Sequence, residues 1–254
     1  MTIQTLNRLQ ELRLGGMATA LELQLQQPGT YEELSFLERL SLLLEQEYLQ
    51  RESRKQYRLV RQAGFRLQAT LQEIDYQQHR NLKRAQIAQL GQGDWLFRGQ
   101  NLLITGPCGT GKTYLACALG RQACSQGHSV RYYRVSRLLL TLTQAKADGS
   151  YQKLLGQLAK TRLLILDDWG LEVLKPAQRN DLMEIMDDRS GLMSTAIISQ
   201  LPTTQWYAAI GDNTLADAIL DRLMHNAHRL ELKGESMRKR EENNVEREQL
   251  GEKG

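Results

Sequence analysis

The chain is poor in the residues that build metal and disulfide chemistry. Cys108, Cys117 and Cys124 are an odd number among 254 residues and show no Cys-x-x-Cys spacing, which argues against a disulfide framework and against a zinc site. Their expected role is that of small buried thiols in a reducing compartment. The four histidines form no metal-ligand pattern. No apolar run approaches the roughly 18 residues that a membrane span requires. The opening MTIQTLNRLQELRLGG lacks a basic segment followed by an apolar one, so no secretory signal is expected. A cytoplasmic protein without a membrane partner is the resulting expectation.

What is present supports a packed α/β domain with a smaller appendage: 254 residues, 41% of them apolar. The net charge of +4 is mild, but arginines outnumber lysines 23 to 10, and arginine is the better bidentate partner for phosphate. Residues 1–50 carry three basic and seven acidic side chains, whereas residues 51–66 carry six basic and one acidic. Such asymmetry between neighbouring segments points to an anionic partner.

Residues 1–66 read as a helical N-terminal domain. Ile3, Leu6, Leu9 and Leu12 have helical spacing, with Gly15-Gly16 as the expected stop. A short helix closes at Pro28-Gly29. Thr30, with Glu33 as its capping-box partner, is expected to open a long helix that buries Leu34, Leu37, Leu40, Leu44 and Tyr48 and runs to about Gln62. From residue 67 to 240 strands alternate with helices. NLLIT (101–105), SVRYYRV (129–135), RLLILDD (162–168), STAIIS (194–199) and HRLELK (228–233) are the expected strands of a five-stranded parallel sheet covered on both faces. Residues 241–254 read as a charged tail.

The segment GPCGTGKT, residues 106–113, matches the phosphate-loop pattern G-x-x-x-x-G-K-[ST], and it follows a strand and opens a helix, as that chemistry requires. Gly106, Pro107, Cys108, Gly109, Thr110 and Gly111 form the loop, whose backbone N–H groups cradle phosphate oxygens, Lys112 reaches the β- and γ-phosphates, and Thr113 ligates Mg²⁺. Tyr114 continues into the helix, whose positive end faces the anion. ATP and Mg²⁺ are the implied ligands. In LLILDD, an apolar strand ending in two acids, Asp167 completes the Mg²⁺ shell and Asp168 stands where it orients attacking water. Ser199 and Gln200 end another strand at the carboxyl edge. They are a simple polar pair leading into a loop or, with Gln200 slightly favoured, a contact to the γ-phosphate. On residues alone, Arg222 and Arg238 are ordinary solvated or ion-paired arginines.

GPCGTGKTYLA, LLILDDWG, SQLP followed by Trp206, and LADAILDRLMHNAHRLELKGESMR together resemble the IstB group of AAA+ ATPases, helper proteins of insertion-sequence transposons. The bacterial helicase loaders DnaC and DnaI are more distantly similar. The resemblance implies a P-loop fold of AAA+ type, with Arg222 as an arginine finger given to a neighbouring subunit and Arg238 as a second sensor of phosphate. It further implies a homo-oligomer on DNA and an IstA-like transposase as partner. Two departures stand out: Asp168 occupies a position where most AAA+ proteins have Glu, and only about 20 residues follow the last expected strand, so the helical lid is expected to be absent or vestigial.

Arg51, Arg54, Lys55, Arg58 and Arg61 recur at three- and four-residue steps. This stripe either tracks the backbone of duplex DNA, with little sequence preference, or is the solvated back of a core-packing helix. The leading functional reading is an ATP-dependent regulator of DNA transposition. The alternative is a helicase loader in replication, from which the SQLP and HNAHRLELKGESMR segments distinguish it. A small-molecule kinase would need a substrate pocket and a lid, and neither is legible.

Overall fold

The computed structural model of the chain describes residues 2–76 and 80–237. Two compact units divide it, Met1–Arg58 and Leu59–Gly254.

The first unit is built from helices α1 (Thr2–Glu11), α2 (Gly15–Gln26), α3 (Pro28–Tyr31) and the greater part of α4 (Phe36–Ala63). Gly15-Gly16 open α2 rather than merely ending α1. The reason is a carboxylate from far along the chain: buried Glu47 accepts the N–H of Gly16 at 2.7 Å and of Met17 at 3.2 Å, capping α2 from outside. That approach needs glycine, because a Cβ at Gly16 would stand 2.6 Å from the Gln46 carbonyl oxygen. The long helix begins at Phe36, six residues later than expected from Thr30. Its capping box is Ser35 with Glu38: the Ser35 N–H and hydroxyl donate to Glu38 Oε2, and the Glu38 N–H returns to Ser35 Oγ at 3.4 Å. Thr30 lies within α3, which Pro28 starts. The predicted buried face is also corrected, since Leu37 is 70% and Tyr48 62% exposed, and Leu44 is exposed with them. Leu40 does face inward, as expected, and the helix turns Arg39, Leu43 and Glu47 inward with it. Arg39 exchanges hydrogen bonds with buried Gln24 through its Nε and its carbonyl oxygen.

In the second unit the chain runs through α5 (Arg84–Gln92) and α6 (Asp94–Phe97) into β1 (Asn101–Thr105). There follow α7 (Lys112–Ser125), β2 (Val130–Arg134), α8 (Val135–Asp148), α9 (Tyr151–Lys160), β3 (Leu163–Trp169), α10 (Pro176–Arg189), β4 (Ser194–Ser199), α11 (Trp206–Ile210), α12 (Asn213–Met224) and β5 (Ala227–Glu231). The strands form one parallel sheet in the order β2-β3-β4-β1-β5. All five expected strands are present, with β3 displaced by one residue towards the C-terminus, β2 one residue shorter at each end, and β5 beginning one residue and ending two residues earlier.

Side chains alternate across a strand, and the core divides accordingly. Leu102, Ile104, Ile165, Ala196 and Ile198 join α5 and α7 on one face. Leu103, Leu164, Leu166 and Ile197 join α8, α10 and α12 on the other. Because both faces are covered, the strands are apolar runs rather than alternating ones. Cys117 and Cys124 are buried, and burial pushes the Cys124 thiol up to about 12. Cys108 departs from the expectation for the cysteines and is exposed.

Candidate functional site

The parallel sheet sets the site. The loop 106–111 leaves the carboxyl end of β1 and turns directly into α7, so the first N–H groups of that helix face the same edge at which β3 and β4 end. Lys112 is buried at the first position of α7, and its ammonium folds over the loop to donate to the carbonyls of Gly106 and Pro107 at 2.7 Å each. Burial pulls that ammonium below the ordinary lysine value, opposed by Cys108, Asp167 and Asp168.

Asp167 meets α7 across the edge. Its Oδ2 accepts from Thr113 Oγ1 at 2.8 Å and from the Tyr132 hydroxyl at 2.6 Å, and its Oδ1 accepts the Asp168 N–H at 2.8 Å. Two hard oxygen ligands from separate elements thus converge, the donor chemistry that Mg²⁺ takes. Burial, reinforced by the Asp167 carboxylate, raises the Tyr132 phenol well above its ordinary value, so it stays a proton donor to Asp167. Asp168 sits at an irregularity where β3 slips in register against β4, with φ at +61°. Its carboxylate accepts from Arg134 Nε at 2.7 Å and lies 4.0 Å from Arg66.

Ser199 is buried, donating to the Trp169 carbonyl at 2.7 Å and accepting the Leu201 N–H, while Gln200 is exposed at the same edge. The Tyr114 hydroxyl is directed to Glu73, at 3.0 Å, and receives the Thr70 N–H. Tyr132, Arg134 and Arg66 did not emerge from the sequence. The only signal was the strand SVRYYRV itself, where Tyr132 takes an inward-facing position whose phenol needs a partner.

A family profile described as IstB-like ATP binding protein matches residues 7–245. The chain belongs to the IstB-like ATP-binding family. An insertion-sequence ATP-binding protein of Sinorhizobium fredii is 49% identical over 235 residues, which cover 92% of this chain and 96% of that one. The ATP-binding protein of IS1162 from Pseudomonas fluorescens is 50% identical over 205 residues, 80% of this chain and 88% of its own. Among solved structures, DnaI is similar with a TM-score of 0.56 and 21% identity, covering 65% of this chain and 91% of that chain. The DnaC helicase loader follows with 0.51 and 23%, covering 59% and 87%. At such identity these two establish the P-loop AAA+ fold and nothing further.

In this IstB-like chain Arg222 is not near the phosphate loop. Its carbonyl, with that of Leu223, accepts from the Asn101 side chain at the start of β1, whereas the loop follows the end of that strand, about 13 Å further on at 3.3 Å per residue. The Arg222 guanidinium pairs with Asp187 at 2.7 Å and donates to the Ala218 carbonyl. Arg238 lies outside the described residues, as do residues 241–254. Arg51, Arg54, Lys55, Arg58 and Arg61 all lie on α4 and are exposed; Arg51 pairs with Glu47 and Lys55 with Glu52. No helix among the described residues is long and apolar enough to cross a membrane.

Proposed function

We propose that this protein is a cytoplasmic ATPase that assembles as a homo-oligomer on duplex DNA and engages the transposase of its insertion sequence. The observation that carries the reading is the placement of Arg222 at the opposite end of the sheet from its own phosphate loop. An arginine there serves catalysis only in a neighbour's site, so turnover requires assembly. Relatives named for insertion sequences supply the context for the transposase partner.

Within each subunit Lys112 meets the β- and γ-phosphates, Thr113 and Asp167 hold Mg²⁺, and Tyr132 keeps the Asp167 carboxylate oriented. Once bound there, Mg²⁺ would supply positive charge against the phosphate oxygens. Asp168 orients the water, and the neighbour's Arg222 stabilises charge on the transferring phosphoryl group. Both acts require an exchange of partners, Asp168 from Arg134 and Arg222 from Asp187. Gln200 at the carboxyl edge senses the γ-phosphate, with Ser199 beneath it tying β4 to β3, and Arg238 is the second sensor of phosphate that the resemblance implies. Arg54, Arg58 and Arg61, with Arg51 and Lys55, follow the DNA backbone.

Mixing tests the assembly. Lys112→Ala has a dead pocket and an intact arginine, and Arg222→Ala has the reverse. Each is expected to be inactive alone, with Arg222→Ala still binding ATP and losing about 10³–10⁵-fold in turnover. Titrated together on DNA, they should regain hydrolysis. Wild-type turnover by Arg222→Ala alone, or no recovery at any ratio among confirmed oligomers, refutes the reading. For DNA, replacing Arg54, Arg58 and Arg61 by alanine should weaken binding to unrelated duplexes alike. It should also flatten the slope of log K against log salt by up to about 2.7; an unchanged slope removes the stripe from the interface.

A further inference from the structure

The phosphate loop is gripped from behind. Arg80, from the segment that precedes α5, is only 7% exposed. Its Nη1 donates to the carbonyl of Thr110 at 3.2 Å, its Nη2 donates to the carbonyl of Asp75, and its buried Nε has no hydrogen-bond partner among the described residues. From the opposite end of the chain, the segment after β5 crosses the same loop, and the Met237 N–H donates to the carbonyl of Gly109 at 2.9 Å. The two arms are joined to each other: the Lys233 N–H donates to the Arg80 carbonyl at 3.1 Å, and Asn81 Nδ2 to the Glu231 carbonyl at 3.0 Å.

A trans peptide is planar, so its C=O and the following N–H point in opposite directions. Met237, by holding the Gly109 carbonyl outward, turns the Thr110 N–H inward. Arg80, by holding the Thr110 carbonyl outward, does the same for the Gly111 N–H. The arms lie so close that side chains are excluded beneath them. A Cβ on Gly109 would stand 2.1 Å from Ser236 Oγ, and one on Gly111 would stand 2.8 Å from Arg80 Nη1, with both glycines at positive φ, +81° and +89°. We infer that Arg80 and the Met237 N–H form a two-armed clamp that aims the Thr110 and Gly111 N–H groups at the nucleotide, making Arg80 a positioning residue for phosphate binding. The inference rests on the nucleotide-binding reading of the loop.

The clamp acts on loop amides and not on the γ-phosphate, so it affects ADP and ATP alike. Calorimetry on the full chain with ADP and with the non-hydrolysable analogue AMPPNP reads this directly. Arg80→Ala should weaken both by the same factor, about 10- to 100-fold for the loss of a charged hydrogen bond, and ethylguanidinium in the buffer should restore part of the loss. Met237→Pro removes the N–H of the other arm and should weaken both nucleotides relative to Met237→Ala, which keeps the N–H. Unchanged ADP affinity in Arg80→Ala, or a loss confined to AMPPNP, overturns the clamp. Should Arg80→Ala fail to fold, equal affinities in Met237→Pro and Met237→Ala overturn it. A wild-type chain that binds neither nucleotide defeats the underlying loop reading instead.

Discussion

The two units of this chain are held together by opposite means. In Leu59–Gly254 the apolar residues of five strands are sealed between helices, and Lys112, Thr113, Asp167 and Asp168 stand at one edge. In Met1–Arg58 the buried positions include Gly16, Ala18, Gln24 and Glu47, while Ile3, Leu12, Phe36, Leu37, Leu44 and Tyr48 face outward. The first arrangement draws its stability from the burial of apolar area, which is non-directional. The second depends on a few directed hydrogen bonds around α2 and α4. Its outward apolar surface is of the kind that marks interaction faces.

The contrast can be broken or sharpened by measurement. The largest effect belongs to the sheet. Leu164→Ala at a fully buried position of β3 should destabilise its unit by about 2–5 kcal/mol, read from the urea midpoint. A smaller loss in the same measurement would mean that the sheet relies less on apolar packing than its burial indicates. Glu47→Ala comes next, at about 1–3 kcal/mol in the helical unit, because it leaves the buried Gly16 N–H without its acceptor. Loss of the signal from residues 1–58 at lower urea, with the sheet's midpoint unmoved, is the expected result.

Acid should also separate the units, more weakly. Burial holds the His228 imidazole below its ordinary value, so the unfolded chain binds that proton more readily than the folded one. The contribution is complete above the unfolded pKa of about 6.5 and is lost as the pH falls towards the folded value. Residues 1–58 contain no histidine, so thermal melts should show this slope in the sheet unit alone, and His228→Gln should flatten it. Smallest of all, Phe36→Ser with Leu37→Ser should leave the isolated chain's stability within about 0.5 kcal/mol. A clear loss would show that these side chains are covered in solution.

How much was legible in the sequence follows the same divide. Buried parallel strands are short apolar runs with few alternatives, and NLLIT and STAIIS were placed to the residue. The phosphate loop was legible because its chemistry is local: glycines, lysine and threonine act within eight consecutive positions. Arg80, Tyr132 and the Met237 N–H were not, because each acts on a residue at least 30 positions away. The helical unit misled for a related reason. Helical spacing identifies an apolar stripe, but Glu47, by capping α2 from a distance, rotates α4 so that a different face is turned inward. Thr30 and Ser35 carry equivalent capping signals, and Pro28 settles the choice by giving Thr30 to a separate one-turn helix.

The bend at the end of β3 bears on why an aspartate, and not a longer acid, stands at position 168. Asp168 holds a left-handed backbone at φ +61°, a conformation that costs most residues about 1–2 kcal/mol and that aspartate and asparagine visit more readily than longer side chains. Lengthening the acid to glutamate would extend its carboxylate further from the backbone and would also load the turn that aims it. The main chain therefore has a say in the choice of acid at this position, and this protein trades reach for a side chain that its own contour accepts.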